Sequence, residues 1–103
     1  MSLRYRGGEK ASWLNMGKLG VYILKSLKNG GYYIGSSENI DLRFTEYSNG
    51  RVKSTKGLRP WSLVMFYPTQ DIKEARQLEY KLKKFKSRKI IEKIIENGRI
   101  NLR

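Results

Sequence analysis

A chain of 103 residues with 22 Lys and Arg against 9 Asp and Glu, no His and no Cys, carries a net charge of +13. That length holds one domain with a small core, and the excess of positive charge calls for a polyanionic partner, nucleic acid first. The missing residue types exclude disulfides, thiolate zinc sites, a His general base and a Cys nucleophile, so any chemistry must rest on Tyr, Lys, Arg and carboxylates, with a hard oxygen-bound cation as the metal that fits.

Residues 1–18 show no helical or strand period and read as a flexible leader or loosely docked extension, before a domain over 19–97 and a short tail, 98–103. No apolar run approaches the roughly 20 residues that span a bilayer, and no signal-peptide pattern is present, so the reading is a soluble, cytoplasmic protein without a membrane partner. Leu19 to Ser26 and Tyr32 to Gly35 are apolar, β-prone runs around Asn29-Gly30, which predicts a β-hairpin. An even-length loop puts Tyr22 and Tyr33 on one face. The simplest two-residue turn pairs Ser26 with Tyr33 and leaves Tyr22 four positions along the ladder, about 13 Å away; a slipped register, a bulge at Gly31 or twist would be needed to bring the rings closer.

Asn39 predicts an N-cap for a helix through Ser48, stopped by Asn49-Gly50. Arg51 to Pro60 reads as a basic loop, and Trp61 to Tyr67 as a third, largely buried strand ended by Pro68. Asp71 caps a helix with Ala75, Leu78, Leu82 and Phe85 inward, interrupted at Lys86-Ser87 before a last helix carrying Ile90, Ile91, Ile94 and Ile95. The predicted class is α+β: a small three-stranded antiparallel sheet flanked by helices, in the order β-β-α-β-α-α.

Gly20-Val21-Tyr22, Tyr33-Ile34-Gly35, Arg43 and Glu79, in this order and spacing, resemble the GIY-YIG nuclease family, with Val21 replacing the usual Ile. Lys53-Ser54-Thr55-Lys56 followed by Arg59-Pro60-Trp61 is similar to the small stand-alone bacterial members. The resemblance implies an endonuclease that hydrolyses phosphodiester bonds, with DNA as its substrate and DNA repair among its settings. It further implies that Tyr22 prepares the attacking water, Tyr33 orients water or phosphate, Arg43 clamps the phosphate and Glu79 holds a single Mg2+ or Mn2+. Tyr47, one turn after Arg43, stands where many members carry His and where the similar nuclease domain of the bacterial excision-repair endonuclease looks to carry Tyr.

Each residue also has a plainer reading. Strands favour Tyr, so Tyr22 and Tyr33 could be ordinary sheet aromatics; an ordinary phenol, with a pKa near 10, is about one-thousandth ionised at pH 7 and needs help from nearby cations. Arg43 could be a solvated helix residue, and Glu79 an i,i+4 partner of Lys83, with Glu74 as a rival metal ligand. Arg51, Lys53, Lys56, Arg59, Lys83 and Lys86 are the candidate backbone contacts, some of which must be solvated helix faces. Trp61 reads as a core anchor. The alternative function is a basic nucleic-acid-binding module, for DNA or RNA, that keeps the fold without the chemistry.

Overall fold

The computed structural model describes residues 17–98, so the expected leader lies outside the described residues up to Met16, and the tail beyond Gly98. Strands β1 (Gly20–Ser26) and β2 (Tyr32–Ser37) are followed by helix α1 (Ile40–Ser48), a 3-10 helix (Lys53–Leu58), strand β3 (Trp61–Pro68) and helices α2 (Ile72–Phe85) and α3 (Arg88–Asn97). The sheet is antiparallel, in the order β2-β1-β3. The predicted class and element order are therefore those observed.

Placing β1 in the centre explains its composition. Its apolar run Val21 to Leu24 is buried throughout because both faces of the strand are covered. Val21 and Ile23 pack with Ala75, Leu82, Ile91 and Ile94 of α2 and α3. Tyr22 and Leu24 pack on the opposite face with Ile40, Tyr47, Trp61 and Phe66. Each fully buried aliphatic side chain among them contributes about 1.5–3 kcal/mol, so the two clusters hold helices to both sides of one thin sheet. Trp61 is the expected anchor, with its indole N–H donating to the Thr55 carbonyl at 3.3 Å.

The caps match the residues that predicted them. Asn39 Oδ1 accepts from the Leu42 amide at 3.2 Å, Asp71 Oδ1 from Glu74 at 2.8 Å and Ser87 Oγ from Ile90 at 3.3 Å. The chain breaks between α2 and α3 at Lys86, whose φ of 50° is left-handed.

The hairpin differs from its simplest expectation. Ser26 N–H donates to Gly31 O and Gly30 N–H to Ser26 O, both at 2.8 Å, which closes a four-residue loop over Leu27 to Gly30. Leu24 then faces Tyr33, and Tyr22 faces Gly35. The cause is Ser26: its buried hydroxyl donates to Leu58 O at 2.7 Å and accepts from the amides of Lys28 and Asn29 at 3.1 and 3.2 Å, which fixes the wider loop. An even slip keeps both phenols on one face and brings them to two positions apart, about 7 Å along the ladder.

The basic segment is also more ordered than a loop. Its 3-10 turn is tied down by the Ser26 and Trp61 bonds and by buried Thr55. In β3 the register shifts between the pairs Ile23 to Met65 and Leu24 to Leu63, so Val64 is an extra residue in that strand.

Candidate active site

Both tripeptides owe their glycines to close packing. Gly20 lies where β1 runs beside the end of β3, and a Cβ there would collide with the Tyr67 carbonyl and stand 2.9 Å from Pro68 Cα. Gly35, opposite Tyr22, lets that phenol cross β2; a Cβ would meet the Tyr22 hydroxyl and stand 2.5 Å from its Cζ. The tyrosine ring thus occupies the space that a side chain at residue 35 would need.

The Tyr22 hydroxyl ends 2.9 Å from that of Tyr47 on α1. Tyr47 is the hub of the aromatic group, with its ring centroid 6.0 Å from Tyr22 and 5.7 Å from Tyr33, both edge-on. One turn earlier on the same helix, Arg43 sets its guanidinium 5.1 Å from the centre of the Tyr47 ring and donates from Nη1 to Glu46 at 2.8 Å. The Tyr22 hydroxyl beside the guanidinium, and then Glu46, hold the arginine more firmly protonated than usual, against its partial burial. Tyr22, Tyr33, Arg43 and Tyr47 therefore converge. Tyr22 is only 2% exposed, whereas Tyr33 is half-buried and the more open phenol.

Burial pushes the Tyr47 phenol far above its ordinary value of 10.0, and its bond to Tyr22 adds to the shift while Arg43 opposes it. Tyr47 consequently holds its proton more firmly than a free phenol does. The unfolded chain releases this proton near pH 10 while the folded chain retains it, so stability is fully present below pH 10 and falls as pH rises above it. Urea melts at pH 9, 10 and 11 should show that decline, and Tyr47→Phe should flatten it by up to about 1.4 kcal/mol per pH unit.

Glu79 comes from the other side of the sheet. It sits on α2 and reaches the edge strand, where Oε1 accepts from Ser36 Oγ at 2.6 Å and Oε2 pairs with Lys83 Nζ at 2.7 Å. Ser36 directly follows Gly35, so this carboxylate meets β2 one residue past the crossing of Tyr22. Glu79 makes no direct bond to Tyr22, Tyr33 or Arg43 among the described residues. Lys83 links the two groups electrostatically: Glu79 raises its affinity for the proton most, against partial burial, and Tyr33 and Tyr22 add to it. The expected i,i+4 pair is thus present, in the same place as the candidate metal ligand.

Among the described residues no group of three or more acidic, His or Cys side chains could hold a metal. Glu79 stands as a single carboxylate with lone pairs beyond those used by Ser36 and Lys83, a donor that fits octahedral magnesium completed by water and phosphate oxygens. Glu74 is committed elsewhere, its Oε1 accepting from the Gln70 amide at 3.0 Å at the start of α2.

A groove of about 380 Å³ runs across the end of β2 between α1 and α2, lined among others by Ser36, Arg43 and Arg76. Ser36 and Arg76 were not singled out from the sequence. Their signals are local: Ser36 follows the second tripeptide, and Arg76 lies one helical turn before Glu79. Lys56 and Arg59 line another groove, of about 510 Å³, with Lys28 and Trp61. Arg51 and Lys53 are exposed outside both, and Lys83 and Lys86 border a third concavity with Arg88.

This fold, with its paired tripeptides and the arginine of α1, defines a nuclease domain. A family model described as the GIY-YIG catalytic domain matches residues 18–92, and the chain belongs to the GIY-YIG family of nucleases, which act on nucleic acid. It is similar to a UPF0213 protein of Photorhabdus laumondii subsp. laumondii, 41% identical over 64 residues, which covers 61% of this chain and 61% of that protein. The match therefore spans less than two thirds of the relative's length. No solved structure gives a significant match. No helix among the described residues is long and apolar enough to cross a membrane.

Proposed function

We propose that the protein is a metal-dependent endonuclease that hydrolyses phosphodiester bonds of DNA. The observation carrying this reading is the convergence of Tyr22, Tyr33, Tyr47 and Arg43 at the edge strand that also receives Glu79. Hydrolysis gathers negative charge on the phosphate and on the leaving oxygen, and the site answers it with fixed donors. Arg43 offers a planar fork to two phosphate oxygens. Tyr33, the open phenol, orients the attacking water, while Tyr22 prepares it with Arg43 and Tyr47 beside its oxygen. Ser36 fixes the carboxylate of Glu79, which would hold the magnesium ion. When bound there, magnesium supplies charge neutralisation at the phosphate.

The direct test is incubation of end-labelled single-stranded and duplex DNA with the protein and magnesium. The nuclease reading requires new internal cuts, and intact strands after long incubation would refute it. The Lys83 ammonium held on Glu79 favours a second reading, a DNA- or RNA-binding module without turnover; binding to the same strands without cutting would select it, and competition between the two polymers would identify the ligand.

Affinity for duplex should fall steeply with salt. If about six of the named cations contact phosphates, a plot of log K against log salt concentration has a slope of about −5. A slope shallower than about −2, measured by fluorescence anisotropy, would exclude a backbone-tracking surface.

A further inference from the structure

Apart from Tyr33, the third concavity is not used by the proposed reaction. It measures about 370 Å³ and opens at the edge of β2 toward the ends of α2 and α3. Its inner wall includes Ile34 and Leu82, the latter 1% exposed, and its rim carries Lys83, Lys86 and Arg88. The Tyr33 phenol lines it too, so the concavity adjoins the tyrosine and arginine cluster through Tyr33. Among the described residues no carboxylate lines it. Arg88 is braced by Glu92 at 3.1 Å and by the ring of Tyr32, whose centroid lies 4.7 Å from its Cζ.

Lys86 is the unusual member. It is the non-glycine residue with positive φ among the described residues, at the C-cap position of α2 where glycine is the unstrained choice. The chain accepts an unfavourable backbone conformation there and places on the rim a cation that has no ion-pair partner among the described residues. Strain retained beside a concavity is a reason to look for a ligand.

The size is near the lower end of ligand pockets, enough for one nucleotide and far too little for a duplex. An apolar wall with a phenol suits the faces of a base, and the cations suit its phosphates. A base reaches such a wall only when it is outside the duplex stack. The geometry points to a binding pocket for one unpaired nucleotide of the substrate strand, next to the phosphate held by Arg43. This rests on the nuclease reading for its substrate, and it makes DNA bearing an unpaired nucleotide the favoured target.

The test uses the full chain in EDTA, so that binding is measured without cutting. Three labelled duplexes differ at one central position: one extra unpaired nucleotide, an abasic residue in its place, or full pairing. The base-bearing bulge should bind about tenfold tighter than either of the others. Lys86→Gly, which relieves the left-handed strain and removes a phosphate partner, should raise the melting temperature and yet cut the preference over the fully paired duplex to less than about threefold. Equal affinity for the base-bearing and abasic bulges, or a preference over the fully paired duplex unchanged in Lys86→Gly, overturns the pocket. A parallel magnesium digest separates the two ideas: preference without cutting keeps the pocket and removes the nuclease, whereas cutting without preference does the reverse.

Discussion

Glu79→Gln and Arg43→Ala should each slow DNA cleavage by about 100- to 1,000-fold while leaving the fold intact, because Arg43 supplies positive charge at the phosphate and Glu79 would hold the metal ion that supplies the rest. That range corresponds to about 2.7–4 kcal/mol of transition-state stabilisation. The same groups contribute little to folding. Arg43 and Glu46 form an i,i+3 pair open to solvent, and pairs of that kind are worth about 0–1 kcal/mol. Gln at residue 79 keeps a carbonyl acceptor for Ser36 and loses the ion pair with the exposed Lys83, an i,i+4 pair of the same modest kind. Arg43→Lys discriminates further: if the fork matters, lysine will not restore the rate. Both substitutions should leave the urea midpoint nearly unchanged. Cleavage within tenfold of the parent in both variants would eliminate this assignment of roles.

The largest effects on stability should come from the two tripeptide glycines. Gly20→Ala forces a methyl group into the Tyr67 carbonyl and Pro68 of the neighbouring strand, and backbone cannot rotate away as a side chain can. Overpacking of this sort costs about 3 kcal/mol, a fall of roughly 12–24 °C in melting temperature for a domain of this size. Gly35→Ala meets the ring and hydroxyl of Tyr22, which can shift at a lower cost, about 1–2 kcal/mol. Its consequence for activity should be the greater one. Displacing Tyr22 breaks the 2.9 Å contact with Tyr47 and moves the oxygen beside Arg43. Thermal melts and cleavage rates measured on both variants test this division, and a Gly35→Ala protein with unaltered melting and cutting would show that Tyr22 does not depend on the gap.

Patterning is informative where its cause is local. The central strand was legible because continuous burial of Val21 to Leu24 demands an unbroken apolar run, and the helices because their caps are local chemistry at Asn39, Asp71 and Ser87. The hairpin was legible in existence and in face but not in register. Asn29-Gly30 looks like a two-residue turn until Ser26 is seen to bond Leu58, a residue distant in the chain. Ser36 and Arg76 escaped notice for a similar reason: neither type is unusual alone, and each gains meaning from the edge of β2 at which it lies.

By itself the sequence determined a basic α+β chain of the GIY-YIG kind, because side-chain period, capping and the ordered spacing of Tyr, Arg and Glu are properties of the chain. Only the tertiary structure decided that Tyr47 meets Tyr22, that Glu79 arrives from the opposite face of the sheet held by Ser36 and Lys83, and that Tyr22 lies buried while Tyr33 remains open. The physical reason is that these relations depend on strand register and on which helix covers which face, and both are set by packing between residues far apart in the chain.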